Sequence, residues 1–363
     1  MKKICFITSS PPNYLGGLSL FHKNLLNYLK TKDLNITWTY FGNKNRQYKS
    51  KDINYFEIKR SILQPKFIEN NYKVKKFLKK NYFDVVFTTG GFWTFFYFKP
   101  INQKLIHIFH GTVYYFNKNH LKRLSFCKRL LLSPLLSFSK ISELPSWDCD
   151  NIICVSNKVK KQVEELYGKD KMKVIRTGVD LNEFKPRKVK GKKKLYGLYV
   201  GGGGWYTKGL DRAIKLSKEI YKLNLNYRLI IIGPDKSKVR DLINEPFIIF
   251  KENIPRDNMK FYYNSSDIFF CMSRYEGGAP TLVVSEAMAS GCLVVCSKDS
   301  EQEIIKNNKN GLIINSYEIK SAKRILNTPR KILIKNAFKT IEKFSLENWG
   351  DKFLKIINDE KNR

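Results

Sequence analysis

The sequence predicts two doubly wound α/β domains, each a parallel sheet covered by helices on both faces. Three observations carry this. Short apolar, β-branched runs alternate with longer amphipathic ones along nearly the whole chain, the pattern of buried parallel strands and crossover helices. The run Leu198-Tyr199-Val200-Gly201-Gly202-Gly203 opens a second series much as Ile4-Cys5-Phe6-Ile7-Thr8-Ser9-Ser10 opens the first. The length, 363 residues, suits two domains of ordinary size rather than one.

In order, the expected strands of the first series are Lys3–Thr8, Ile36–Phe41, Asp84–Thr88, Leu105–Phe109 and Asn151–Val155. Those of the second are Leu195–Val200, Leu229–Ile232, Phe247–Phe250, Asp267–Cys271, Leu293–Cys296 and Leu312–Ile314. Helical periodicity falls at Leu18–Lys30, Lys158–Tyr167, Leu210–Leu223 and Ala287–Ser290. Between the series, Lys185–Lys194 holds seven basic residues with no strand or helix signal, so self-repulsion predicts an extended, exposed join. The expected division is therefore 1–184, a linker 185–194, and 195–344. The amphipathic, aromatic Ser345–Asp359 predicts a docked final helix. No solenoid period is present.

Lys plus Arg is 67 and Asp plus Glu 32, a formal charge of +35. That balance points to a polyanionic partner such as nucleic acid, anionic lipid or a phosphorylated substrate, or to a Lys-rich compositional bias. Hydrophobic residues at 42% exclude a disordered tail. No run of about 18 apolar residues exists to cross a membrane, and Ile4–Ile7 is too short for a signal peptide. The seven cysteines are odd in number, lack a CxxC pair and sit mostly inside apolar runs, which predicts buried, reduced thiols, no structural zinc and a cytoplasmic location. Leu121–Lys140 combines Lys and Arg with a broad Leu and Phe face. It reads either as an interfacial helix on an anionic membrane or as a packed helix interrupted near Pro134.

Three motifs carry chemistry. Pro11 to Gly17 joins the first strand to a helix through Gly16-Gly17, which either lets backbone approach a phosphate at a helix N-terminus or is only a tight turn. Gly201 to Gly209 follows the first strand of the second series, and its four consecutive glycines with Lys208 at the helix entrance suit a diphosphate cradle. It does not satisfy the GxxxxGK[ST] P-loop. Arg274 to Gly291 follows Asp267–Cys271 and places Glu276, a glycine turn and Glu286 at the C-terminal end of a strand, the edge where open α/β sheets bind ligands. Carboxylates there suit sugar diols.

The third motif resembles the nucleotide-sugar signature of the GT-B glycosyltransferases, specifically retaining family four, the group-one glycosyltransferases. Val155–Pro186 is similar to that family's interdomain crossing, and Gly16-Gly17, Gly201–Lys215 and the terminal Phe344-Ser345-Leu346-Glu347-Asn348-Trp349 add to the likeness. The resemblance implies two Rossmann-like domains facing across a cleft, with 345–363 crossing back onto the first, acceptor-side domain. It implies that Lys208 holds a donor diphosphate, that Glu286 binds ribose hydroxyls, and that backbone at Gly278, Ala279, Pro280, Thr281 and Leu282 contacts sugar and phosphate. Gly16, Gly17, Gly202 and Gly203 would line the donor, Ile254 within Asn253–Pro255 would sit near the base, and His110 would lie near the transferred sugar.

Two departures stand out. The family's glutamates are eight positions apart, whereas here 286 − 276 = 10, so either Glu276 fills the first role or Gly278 has replaced it. The family's loop arginine falls at Gly202, leaving Arg274 as a conceivable substitute. The catalytic group is thus expected to comprise His110, Glu276 and Lys208. The expected reaction is sugar transfer from a nucleotide diphosphate sugar to a hydroxyl, with retained configuration and without metal or cofactor, in surface polysaccharide or glycolipid assembly. The partners would be the nucleotide sugar, a sugar or lipid-linked acceptor and an anionic membrane face, with no nucleic acid. A scaffold that binds nucleotide sugar without catalysis and a basic nucleic-acid binder are the alternatives; the second lacks any nucleic-acid-binding signature. Asp148-Cys149-Asp150 spells a DxD metal motif, but Asp150 directly precedes an apolar strand and reads as a strand-entry residue.

Overall fold

A computed structural model describes residues 1–9, 11–12, 16–60, 66–89, 102–121, 124–142, 149–168, 172–186, 194–201, 204–233, 235–277 and 281–359. The chain divides into two compact units, Met1–Arg176 with Gly350–Arg363, and Thr177–Trp349. Residues 187–193, most of the expected linker, lie outside the described residues.

Unit 1 runs β1 (Lys2–Thr8), α1 (Gly17–Leu29), β2 (Leu34–Gly42), β3 (Arg46–Ser50), β4 (Ile53–Lys59), α2 (Lys66–Lys80), β5 (Val85–Thr89), β6 (Lys104–Phe109), α3 (Val113–Leu121), α4 (Phe126–Leu132), α5 (Pro134–Ser142), β7 (Asn151–Cys154), α6 (Asn157–Tyr167) and β8 (Met172–Val174). Its eight strands lie in the order β3-β4-β2-β1-β5-β6-β7-β8, parallel except for β3 against β4. Unit 2 runs β9 (Leu195–Val200), α7 (Leu210–Leu223), β10 (Tyr227–Gly233), β11 (Ile248–Glu252), α8 (Met259–Ser265), β12 (Ile268–Cys271), α9 (Leu282–Ala289), β13 (Leu293–Ser297), β14 (Leu312–Ile314), α10 (Ile319–Asn327) and α11 (Arg330–Ile341). Its six strands are all parallel, in the order β11-β10-β9-β12-β13-β14. A final helix, α12 (Leu346–Asn358), begins in unit 2 and ends in unit 1.

The expected strands all form. The β3–β4 hairpin, β8 and the helices α2, α3, α8, α10 and α11 are additional. The hairpin turns on Lys51 and Asp52, both at positive φ (49° and 63°). That left-handed pair is the geometry of a two-residue hairpin turn, which Asn-Gly normally signals, so Lys-Asp disguises it. Helix α9 begins five residues before the expected pattern. Its residues Val284–Ala289 are all buried, so it has no polar face to reveal the helical period.

One device recurs three times. Asp84, Asp150 and Asp267 each stand just before a strand and accept a hydrogen bond from the first residues of the neighbouring strand. The donors are the backbone N–H groups of Lys3, Leu105 and Tyr196, at 2.7, 2.7 and 2.8 Å. Each aspartate also donates its own N–H to that same residue's carbonyl, closing the pair. A carboxylate and an amide in tandem lock the register of adjacent parallel strands at their N-terminal ends.

Helix α12 completes unit 1. Phe353 is fully buried, with ring centroids 6.2 Å from both Phe21 and Phe87. The Tyr28 hydroxyl donates to Asp351. The Lys104 ammonium donates to the carbonyls of Ile356 (2.5 Å) and Asp359 (2.9 Å), which complements the negative end of the helix. Replacing Phe353 by Ala removes this plug, and the expected cost is about 3–5 kcal/mol. Denaturant unfolding read separately for each unit checks it: the unit 1 transition moves to lower denaturant while that of unit 2 stays.

Candidate active site

In unit 2, β9 lies between β10 and β12, so the connections leaving β9 and β12 diverge and open a crevice at their C-terminal ends. Gly209 decides how the two loops meet there. It sits at φ 72°, and a Cβ on it would lie 1.9 Å from the Met272 carbonyl oxygen at the end of β12. Only glycine permits that approach. The loop is then sewn down by the Arg274 N–H, which donates to the Thr207 carbonyl at 2.8 Å.

This contact brings Lys208 to Glu276. The Lys208 ammonium donates to Glu276 Oε1 at 2.6 Å, and the Ser273 hydroxyl donates to the same oxygen at 2.7 Å. The lysine side chain is 39% exposed and the glutamate 12%. A pair with one half-open partner contributes little net energy. Glu276 is thus the carboxylate that meets Lys208 at this end of the crevice. Gly278, Ala279 and Pro280 lie outside the described residues, as do Gly202 and Gly203.

Arg274 serves the loop rather than the crevice. Its guanidinium is bidentate to Asp211 (2.8 and 2.5 Å), donates to the Tyr206 carbonyl and stacks 3.7 Å over the Tyr206 ring. Burial pushes the Asp211 carboxyl up, but Arg274 outweighs it and holds it below the usual carboxylate range. Arg274 is thus committed in this structure, and the expected substitute for the missing loop arginine does not point free.

Glu286, on α9, is 1% exposed. Its Oε1 receives Arg256 Nη2 at 2.5 Å and its Oε2 receives the Tyr263 hydroxyl at 2.8 Å. Arg256 also lies 4.8 Å over the Phe184 ring. Neither partner was legible in the sequence: Arg256 follows Asn253–Pro255 and Tyr263 lies on α8, and only the packing of α8 against α9 brings them to Glu286. Ile254 is half-buried against the core of unit 2 beside Asn253, which is at φ 54°. Thr281 is the N-cap of α9. Its N–H donates to Gln302 Oε1 at 3.1 Å, and its hydroxyl is buried with no partner among the described residues. The amides of Leu282 and Val283 open the helix without intrahelical acceptors, so this end carries positive potential.

In unit 1, α1 starts after Gly16, and a Cβ added at Gly17 would meet nothing within 4 Å. Among the described residues, packing therefore does not require glycine at 17. His110 follows β6 with its ring 4.4 Å from Phe21, edge to face, and 5.7 Å from His22. His22 Nδ1 donates to the Leu18 carbonyl at 2.7 Å, and His107 Nδ1 meets the Thr88 hydroxyl at 2.8 Å. The Nε2 atoms of all three histidines are buried without a partner among the described residues. Burial lowers His22 from the usual 6.5 to about 4 and His107 to about 3. It holds His110 well below 6.5, with His22 and His107 adding to the effect. His110 is a neutral imidazole, suited to hydrogen-bonding a hydroxyl and not to donating charge. Asp150, of the DxD motif, is the strand-entry residue described above; Asp148 lies outside the described residues.

Comparison with known proteins gives a consistent picture. Residues 15–183 match the family described as Glycosyltransferase Family 4, and residues 180–338 match Glycosyl transferases group 1. A curated relative, "Putative glycosyltransferase YtcC" of Bacillus subtilis (strain 168), is 29% identical over 195 residues. That match spans 46% of this chain and 47% of the relative, about half the length of each. Among solved structures, sucrose-phosphate synthase from Thermosynechococcus elongatus superposes with a TM-score of 0.76 at 16% identity, covering 98% of both chains. WaaG, a glycosyltransferase of lipopolysaccharide biosynthesis, gives 0.74 at 14% identity, covering 98% of this chain and 100% of that one. Anabaena HepE, solved with UDP and glucose, gives 0.70 at 13% identity, covering 99% and 100%.

The histidines make a pH prediction. Their folded pKa values lie below the unfolded value, so the unfolded chain binds more protons between about pH 6.5 and pH 4. Unit 1 is expected to hold full stability above pH 6.5 and to lose it as pH falls toward 4, by roughly 3 kcal/mol for His22 alone. Urea unfolding of unit 1 at pH 7, 6, 5 and 4 checks this, and His22→Gln should flatten the slope.

Proposed function

Because this chain belongs to the group 1 glycosyl transferases and carries their GT-B architecture of two parallel-sheet α/β domains, we propose that it moves a sugar from a nucleoside diphosphate sugar to an acceptor hydroxyl with retained anomeric configuration. The observation that carries this reading is the Lys208–Glu276 pair at the switch point of the unit 2 sheet.

In this reading the donor diphosphate displaces Glu276 from Lys208 and takes the ammonium as a charge-assisted partner. The N-terminus of α9, with the Thr281 hydroxyl and the Leu282 amide, adds fixed positive potential. Glu276, released, turns to the hydroxyls of the transferred sugar, and Glu286 accepts from the ribose. The bond from the anomeric carbon to the phosphate oxygen breaks as the acceptor oxygen bonds the same face of that carbon. The acceptor's proton passes to the leaving phosphate oxygen. Preorganised charge where the pyrophosphate develops negative charge is the main contribution of the chain.

The acceptor in this reading is lipid-linked or close to a membrane. Helix α4 leaves Phe126, Leu130 and Leu131 exposed by 77%, 67% and 78%. Lys128 and Arg129 lie between them, also exposed. Apolar rings and branched chains entering the headgroup boundary, with about 1 kcal/mol from each basic residue near anionic lipid, suit reversible interfacial binding at the inner leaflet. Cell-surface polysaccharide or glycolipid assembly fits such a position.

A thermal-shift screen of UDP-, GDP- and ADP-sugars, followed by turnover of the stabilising donor, tests the activity. Retained configuration at the product's anomeric carbon, read by NMR, supports it. Inverted configuration overturns the retaining step, and binding without transfer to acceptor or water identifies a scaffold without catalysis. Lys208→Ala is expected to weaken donor binding by about 1.5–3 kcal/mol in calorimetry, as for one lost charge-assisted bond. Sedimentation with vesicles containing anionic lipid should pellet the protein at low salt, and Leu130→Asp with Leu131→Asp should leave it in the supernatant.

A further inference from the structure

We propose that Arg256 and Tyr263 are positioning residues that hold the Glu286 carboxylate for a vicinal diol, and that they thereby set the preference of this chain for ribonucleotides over deoxyribonucleotides. The proposal rests on the reading that Glu286 binds the donor's ribose.

Glu286 is a charge carried into the interior on a helix whose other residues from Val284 onward are apolar or small and buried. A carboxylate there requires compensation, and it receives one donor on each oxygen: Arg256 at 2.5 Å and Tyr263 at 2.8 Å. The donors come from different segments, Arg256 from the turn before α8 and Tyr263 from α8 itself. Each is braced in turn. Arg256 stacks on Phe184 at 4.8 Å, and the Tyr263 ring lies 5.7 Å from Phe184 and 5.9 Å from Phe269. Two donors from fixed positions leave the carboxylate plane no freedom to turn.

The lone-pair count then matters. An ionised carboxylate offers about four acceptor positions, two on each oxygen. Arg256 and Tyr263 take one each, so one remains on either oxygen. Two adjacent hydroxyls, each donating to a separate oxygen, fill that vacancy; a single hydroxyl fills half of it. A deoxyribose therefore leaves a buried acceptor unsatisfied, which is the strongest form of discrimination available to a polar site. Were either brace absent, the carboxylate could rotate to satisfy itself and the difference between ribose and deoxyribose would shrink.

The test uses the full chain and calorimetric dissociation constants for UDP, GDP and ADP, each beside its 2′-deoxy counterpart. For the nucleotide that binds, the native chain is expected to favour the ribo form by about tenfold or more, the value of one well-made hydrogen bond to a charged group. Tyr263→Phe, which keeps the ring and its packing, and Arg256→Gln should weaken the ribo form and leave the deoxy form nearly unchanged, so that the ratio falls toward one. Arg256→Lys should recover part of the ratio. A variant that weakens both forms equally, or that lowers only the melting temperature and keeps the ratio, shows a purely structural bridge and overturns the proposal. A native chain that does not distinguish the two forms overturns instead the placement of ribose at Glu286, so the two failures are separable.

Discussion

The active end of unit 2 depends on one backbone contact, the approach of Gly209 to the Met272 carbonyl. Any side chain at 209 would drive the loop after β9 away from the end of β12. The contact puts the Thr207 carbonyl under the Arg274 N–H, sets Tyr206 beneath the Arg274 guanidinium, and aligns Asp211 with that guanidinium's fork. Lys208 is left as the residue of the loop that faces Glu276. The electrostatics of the crevice are therefore a consequence of steric permission, and the permission comes from a residue with no charge and no side chain.

The two glutamates that follow β12 are held in opposite ways. Glu276 is tied to a half-exposed ammonium and a hydroxyl on one and the same oxygen. Glu286 is tied to a guanidinium and a buried phenol whose rings are packed into the core. Burial and Glu286 both push the Tyr263 hydroxyl well above its ordinary pKa, so it remains a donor. One carboxylate is thus held at a half-open edge and the other inside the core, although both arise from a single stretch of sequence after β12.

Much of this was legible in the sequence because local rules and tertiary structure agree. All strands of the second sheet, and β1, β2, β5, β6 and β7 of the first, were visible as apolar runs, and Asp150 was readable as a strand-entry residue because an aspartate before an apolar run has few other uses. The Lys208 loop and Glu276 were visible through glycine spacing and position after a strand. What was not legible depends on partners far apart in the chain or on atypical turn chemistry. The Lys51-Asp52 turn hides the β3–β4 hairpin. The all-round burial of α9 erases its period. Arg274 looked free for a ligand because nothing in its neighbourhood reveals Asp211, 63 residues earlier. Arg256 carries no motif at all, and its meeting with Glu286 exists only once α8 has docked.

The route of α12 has a consequence for how the protein is made. Unit 1 is discontinuous, since Gly350–Arg363 leave the ribosome after the whole of Thr177–Trp349. Until then the Lys104 ammonium lacks the carbonyls of Ile356 and Asp359, and Phe21 and Phe87 lack Phe353. Unit 2 can mature during translation, whereas unit 1 must wait with an open apolar seam until α12 has been synthesised. A nascent chain stalled before α12 would present a finished half and an unfinished one, and quality-control factors would find their substrate in the half that was synthesised first.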